Sequence, residues 1–202
     1  DPPMHERMRK LVNRAFTPRR IAEWEPVVRK VIDGLLDELA ERDVFDAVTD
    51  FAGPFPVEVI CSIVGVPEGD RQQIRHWTDR MLELEVGSPF PSAEGIEAAI
   101  ALSQYTQDLV ADKRARPSDD MIGHLIEAEV EREDGQVEHL TDLEISRFLS
   151  LLTAAGSETV TKLVGNGVMT FAEHPDELAR LQTDPSVAGS AVEEVLRWKA
   201  PS

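Results

Sequence analysis

One stretch, residues 141–173, constrains this chain more than any other. Thr141 with Glu144 three residues on is a capping box, which satisfies orphan backbone donors reciprocally and marks a helix start. No proline follows until Pro175. Leu143, Ile145, Phe148, Leu149, Leu151, Leu152, Ala155 and Val160 keep a helical period yet spread almost all round the axis. A helix apolar on most sides is a buried one, so this segment is predicted to be a central rod. About thirty residues at about 1.5 Å each would span roughly 46 Å, the width of a sizeable domain.

The middle of the rod departs from good helix chemistry. Gly156 costs about 1 kcal/mol relative to alanine in a helix interior. Ser157 and Thr159 can bond back to carbonyls one turn earlier and loosen the helix. Glu158 sets a carboxylate in an otherwise apolar segment, and Ala154, Ala155 and Gly156 strip side chains from one patch. The residues alone leave two readings open. Either another helix crosses at the small residues with Glu158 at the surface, or something flat and bulky lies against the backbone.

Composition narrows the classes. A chain of 202 residues makes one large domain or two small ones. A net charge of −17 with only 5% aromatic residues argues against nucleic-acid binding. No run of 18 apolar residues is evident, so no membrane span is expected. The single Cys61 excludes an intrachain disulfide framework and fits a reducing, cytoplasmic compartment. Within its apolar run it reads as a small buried hydrophobe. The chain does not begin with methionine and stops abruptly at Pro201 and Ser202, so both ends look cut.

The remaining elements also read as helices. The first, 4–16, is basic: residues 1–20 hold Arg7, Arg9, Lys10, Arg14, Arg19 and Arg20 against Asp1 and Glu6. His5 and Arg9 are four apart and share a face, a pair able to clamp a carboxylate or phosphate. An amphipathic helix is predicted over 19–41, then helices over 56–64, 68–85, 92–114 and 121–130, with a loop at 87–91 that exposes Phe90. Asp134 and Gly135 are a tight-turn signal and the one hairpin candidate, near 130–139. His174, Pro175 and Asp176 open a helix to 182, and 187–198 forms the last. There Glu194 and Arg197, three apart, can pair at the surface. The fold class is all-α.

Four separated stretches, in order, resemble the bacterial cytochrome P450 family of haem-thiolate monooxygenases. Asp1-Pro2-Pro3-Met4-His5-Glu6-Arg7-Met8-Arg9, followed by Ala15-Phe16-Thr17-Pro18-Arg19, resembles that family's helix C. Ala155-Gly156-Ser157-Glu158-Thr159 resembles its helix I signature, His174-Pro175-Asp176-Glu177 the start of helix J, and Glu194-Val195-Leu196-Arg197 the helix K Glu-x-x-Arg motif. The likeness runs over essentially the whole chain. It implies a single helical portion of a larger domain, residues 1–202, with haem as cofactor.

The same resemblance assigns roles. His5 and Arg9 would hold haem propionates, and Ala155 and Gly156 would let the rod pass close over the porphyrin. Thr159 would place a hydroxyl near dioxygen, with Glu158 relaying protons. Leu151 and Leu152 would face an apolar substrate, with 81–91 lining its entrance. Glu194 and Arg197 would be structural. The basic segment Arg7 to Arg20 would receive an acidic ferredoxin-type redox partner. One departure stands out: the family's iron ligand is a cysteine in a loop near the C-terminus, no such loop occurs here, and Cys61 matches no ligand motif. No residue of this chain is therefore assigned to the metal. The expected function is a fragment of a monooxygenase that inserts one oxygen atom from dioxygen into an apolar small molecule. The fragment would be inactive alone. The competing readings are an all-helical, small-molecule-binding transcriptional regulator and a catalytically dead helical remnant.

Overall fold

The computed structural model describes residues 9–10, 12–13, 16–85, 87–131 and 135–200. His5, most of the basic segment's first helix, Asp134, Pro201 and Ser202 lie outside the described residues. The described elements are α1 (Pro18–Glu23), α2 (Glu25–Ala40), a π-helical turn (Ala47–Ala52), α3 (Pro54–Val64), α4 (Glu68–Met81), α5 (Ala93–Ala115), α6 (Met121–Glu127), β1 (Val130–Glu131), β2 (Val137–Glu138), α7 (Asp142–Glu173), α8 (Pro175–Thr183), a 3-10 turn (Pro185–Val187) and α9 (Ala188–Trp198). Mainly helical architecture is as expected. The strands are one short antiparallel hairpin, with Val130 opposite Glu138 and Glu131 opposite Val137. Gly135 turns it at a φ of 78°, a conformation glycine adopts without steric cost.

Boundaries differ from expectation where prolines and caps decide them. The single helix expected over 19–41 is two, α1 and α2, with Trp24 as the α1 C-cap. Pro26 has no N–H to donate and clashes one turn back, so a helix accepts it only in its first turn and α2 restarts at Glu25. Thr17 caps α1, accepting from the Arg20 N–H, with Pro18 at its first position. The same logic moves α3 forward to Pro54, since Pro54 and Pro56 both fit its first turn. Just before it, Gly53 N–H donates to Val48 O at 2.8 Å, a bond five residues back that defines the π turn.

Helix α4 stops at Met81 rather than at 85 because the chain pairs with itself beyond it. Glu85 N–H donates to Phe90 O at 3.0 Å and Ser92 N–H to Glu83 O at 3.1 Å, around a bridge between Leu84 and Pro91. Phe90 is 69% exposed at its tip. Helix α6 likewise ends at Glu127, and Val130 joins the hairpin.

The chain divides into two compact units, the first Asp1–Val31 with Val57–Ala154 and the second Ile32–Pro56 with Ala155–Ser202. The core of the first is built from Val57, Cys61, Val64, Ile74, Leu102, Val110, Ile122, Leu125, Ile145 and Leu149. Each large aliphatic side chain so buried contributes about 1.5–3 kcal/mol. At its margin Phe16 packs edge-on against Trp24 and Phe148, with ring centroids 5.5 and 5.9 Å apart. Helices α5 and α7 meet through hydroxyls. Thr106 Oγ1 and Ser146 Oγ are 2.7 Å apart, and Ser146 donates to Ser103 O at 3.3 Å, so no polar atom is stranded in that interface. In the second unit Thr161 Oγ1 donates to Ala52 O at 3.1 Å, Gly165 lies beside Val48, and Asn166 Nδ2 donates to Lys199 O at 3.0 Å.

Candidate functional site on helix α7

The capping box at the start of α7 is complete. Thr141 N–H donates to Glu144 Oε2 at 2.8 Å and Glu144 N–H donates back to Thr141 Oγ1 at 3.3 Å. From there the helix runs 32 residues without interruption, straight through Gly156. One flank holds it in place. Ile145, Leu149, Thr153 and Ser157, each four residues from the last, are all buried. Thr153 Oγ1 donates back to Leu149 O at 2.9 Å.

The opposite flank carries the residues singled out from the sequence. Leu151 is 65% exposed, and Ala155, Glu158 and Thr159 are exposed. Leu151, Ala155 and Glu158 follow at steps of four and three, so they share a face, and Thr159 stands four residues from Ala155. Glu158 and Thr159 diverge by about 100° around the axis, and both border Ala155. Leu152 differs from its neighbour: it is half-buried and packs against the core of the first unit, leaving Leu151 as the exposed member of the pair. Gly156 is half-buried. The Thr159 hydroxyl makes no hydrogen bond among the described residues, whereas those of Thr153 and Thr170 bond back to the carbonyl one turn earlier. Glu158 Oε1 lies 2.8 Å from Lys162 Nζ. Sequence reasoning passed over Lys162, although its i, i+4 spacing from Glu158 was there to read.

Other predicted residues stand apart from this patch. Arg9 is exposed. Glu194 and Arg197 on α9 form a two-point pair, Arg197 Nε to Glu194 Oε2 at 2.8 Å and Nη2 to Oε1 at 2.6 Å. The Arg197 hydrogen bonds hold the Glu194 carboxyl below its ordinary value and raise the guanidinium in turn. Cys61 is 1% exposed, and burial pushes its thiol up to about 12. A thiol so placed is neither a nucleophile nor a ready metal ligand.

Each unit also holds a cavity of its own. In the first, about 490 Å³ is lined by Met81, Pro91, Ile96, Ile100, Ser103 and Gln107 among others. In the second, about 560 Å³ is lined by residues including Phe171, His174, Leu181, Val195 and Trp198. Residues 151–159 line neither.

A helical chain built on one long rod, with a bare patch between an acid and an alcohol, has solved counterparts. CYP109E1 from Bacillus megaterium, in complex with corticosterone, superposes with a TM-score of 0.87 at 37% identity, covering 100% of this chain and 53% of that one. The ligand-free cytochrome P450 TbtJ1 gives 0.87 at 38% identity, over 98% of this chain and 51% of that one. The chain belongs to the cytochrome P450 family, whose model matches residues 1–192. Among relatives, cytochrome P450 107B1 of Saccharopolyspora erythraea is 40% identical over 201 residues, 100% of this chain and 47% of the relative. The vitamin D(3) 25-hydroxylase of Pseudonocardia autotrophica is 40% identical over 202 residues, 100% and 48%. The chain thus spans about half the length of the relatives it matches. Membership of this family does not favour the transcriptional-regulator reading.

The family implies a haem iron cofactor. In the second unit, Ala155 is exposed and projects only a methyl group, which fits the close approach of a flat apolar ring. Cys61, buried and protonated, does not fit as the iron's thiolate ligand.

Proposed function

We propose that this chain is the oxygen-handling portion of a bacterial haem-dependent monooxygenase that inserts one oxygen atom from dioxygen into an apolar small molecule. The observation that carries the proposal is the α7 patch, Ala155 exposed between Glu158 and a Thr159 hydroxyl with no partner among the described residues. Haem would supply the activation of dioxygen by two electrons from a redox partner. The chain's own residues would do the rest. His5 and Arg9 would hold the propionates with charge-assisted hydrogen bonds. Ala155 and Gly156 would leave the helix backbone open to the ring face. Thr159 would hold an ordered water by its unspent hydroxyl, and Glu158 would carry protons to it from solvent. Leu151 would press on the substrate and help exclude water, with Leu152 backing it from the core.

Two further assignments belong to the same reading. Met81 and Pro91 line the 490 Å³ cavity, which supports residues 81–91 as part of the substrate's way in. Exposed Arg9 and Arg19 support a ferredoxin-type partner on the basic segment, in a cytoplasmic setting consistent with one buried, unpaired cysteine. Docking by charge weakens with salt, so electron transfer should slow as ionic strength rises.

The test is Thr159→Ala in the complete enzyme. Product formed per electron pair consumed should fall several-fold, hydrogen peroxide making up the difference, with substrate binding little changed. Coupling equal to that of the unaltered enzyme would overturn the role of Thr159.

A further inference from the structure

Arg19 and Arg20 sit side by side on α1 but are spent differently. Arg19 pairs with Glu23 one turn on, Nε to Oε1 at 3.1 Å, the ordinary fate of an arginine on an acidic protein. Arg20 pairs with no carboxylate among the described residues, although the chain has 38 acidic side chains to offer. Its Nη1 instead meets Nδ1 of His124 on α6. The other ring nitrogen, Nε2, lies 2.9 Å from Asp119 Oδ1 in the turn before that helix. Guanidinium, imidazole and carboxylate thus form one line that ties α1 to α6 inside the first unit.

The partners fix the protons along that line. A guanidinium only donates, so Nδ1 must accept. An ionised carboxylate only accepts, so Nε2 must carry the hydrogen. The ring is therefore neutral while it holds Arg20. It is 23% exposed, so water reaches it. A second proton could enter only at Nδ1, where it would end the hydrogen bond and set two cations face to face. Asp119 would keep the imidazolium, and Arg20 would be the group to leave. Other charges on the adjoining elements are engaged elsewhere or face water. Lys113 on α5 is held by Asp120, Arg19 by Glu23, and Glu127 further along α6 is exposed.

We propose that His124 is a positioning residue for Arg20, a latch that holds the guanidinium on α6 while the ring is neutral and releases it beside Arg19 when the ring takes up a proton. Released, Arg20 adds its planar fork to the surface offered to an acidic protein partner, and the imidazolium adds a charge behind it. The inference rests on the reading of the basic segment as a docking surface. One proton is exchanged with water, no other bond changes, and Arg20 keeps its charge throughout. Docking should therefore strengthen as the pH falls.

Two measurements on the complete enzyme separate the latch from the docking. Side-chain nitrogen relaxation of Arg20 needs no partner. It should report a restrained guanidinium near about pH 8 and a mobile one near about pH 5.5, the span in which histidines change charge. His124→Gln, which accepts from Arg20 but cannot become charged, should keep the guanidinium restrained at both. Binding of an acidic plant-type ferredoxin at fixed ionic strength should tighten about threefold more across that span in the unaltered enzyme than in H124Q, the effect of one exposed ion pair. His124→Leu should bind it more tightly than the unaltered enzyme at the upper pH, and Arg20→Met more weakly at the lower. Equal restraint of Arg20 at both pH values in the unaltered enzyme would overturn the latch. If Arg20 loosens but R20M binds ferredoxin as the unaltered enzyme does, the docking reading falls, and the inference with it.

Discussion

Cys61 and Asp120 show how burial and hydrogen bonding set the chemistry of single side chains. The Cys61 thiol, walled in by the core of the first unit and pushed up to about 12, should resist a disulfide reagent at pH 8 in the folded protein and react at once in denaturant. Rapid labelling under native conditions would show that this part of the core opens readily. Asp120 moves the opposite way. Burial pushes its carboxyl up, but hydrogen bonds from Lys113, the Gly123 N–H at 3.0 Å and the Ser118 hydroxyl at 2.7 Å pull it below the ordinary carboxylate value. A group that holds its proton less tightly when folded adds stability above its unfolded value, near pH 4, and that contribution is lost as the pH falls through the folded value. Asp120→Asn should therefore unfold more easily than the unaltered protein in urea at pH 7, with the gap closing below about pH 4. Gly65 belongs to the same cluster. Its φ is +85°, and a Cβ there would fall 2.5 Å from Asp120 Oδ2, so Gly65→Ala should be strongly destabilising on both counts.

At the scale of elements, capping and proline chemistry explain what could be read in advance. The α7 start followed from Thr141 and Glu144, and Thr141→Ala should cost about 1 kcal/mol, measurable as a lower urea midpoint. The α5 and α6 starts were equally legible, through Ser92 accepting from Gly95 N–H and Asp120 from Gly123 N–H. Period alone misled at α2, because Ile21, Trp24, Val27 and Val28 continue one apolar stripe while Pro26 forbids one continuous helix. It misled again beyond Met81. There the pairing of Glu83 with Ser92 and Glu85 with Phe90 depends on chain folding back from residues that carry no strong strand signal. The patch on α7 was legible as an irregularity, through Gly156 and Glu158. Its exposure, and the separation of Leu151 from Leu152, depend on which flank the core takes. Period could not decide that for a helix apolar nearly all round.

For the molecule as a whole, charge and exposed apolar surface pull against each other. A net charge of −17 keeps copies of the chain apart near neutral pH, although Leu84, Phe90, Ile100, Leu151, Met169 and Trp198 are each more than half exposed. Light scattering against pH should show association setting in near the isoelectric point, about 4.6, and added salt should promote it at pH 7 by screening the repulsion. The buried edge of α7 has a consequence of its own for how mutations would be tolerated along it. Read in steps of four it runs Ile145, Leu149, Thr153, Ser157, Thr161, Gly165, from bulky to bare. Errors at its two ends must therefore fail in opposite ways. Trimming Leu149 leaves an empty space that neighbours cannot fill, while a long side chain at Gly165 would have to displace Val48, 3.4 Å from where its Cβ would stand. The same helix edge is intolerant of loss at one end and of gain at the other.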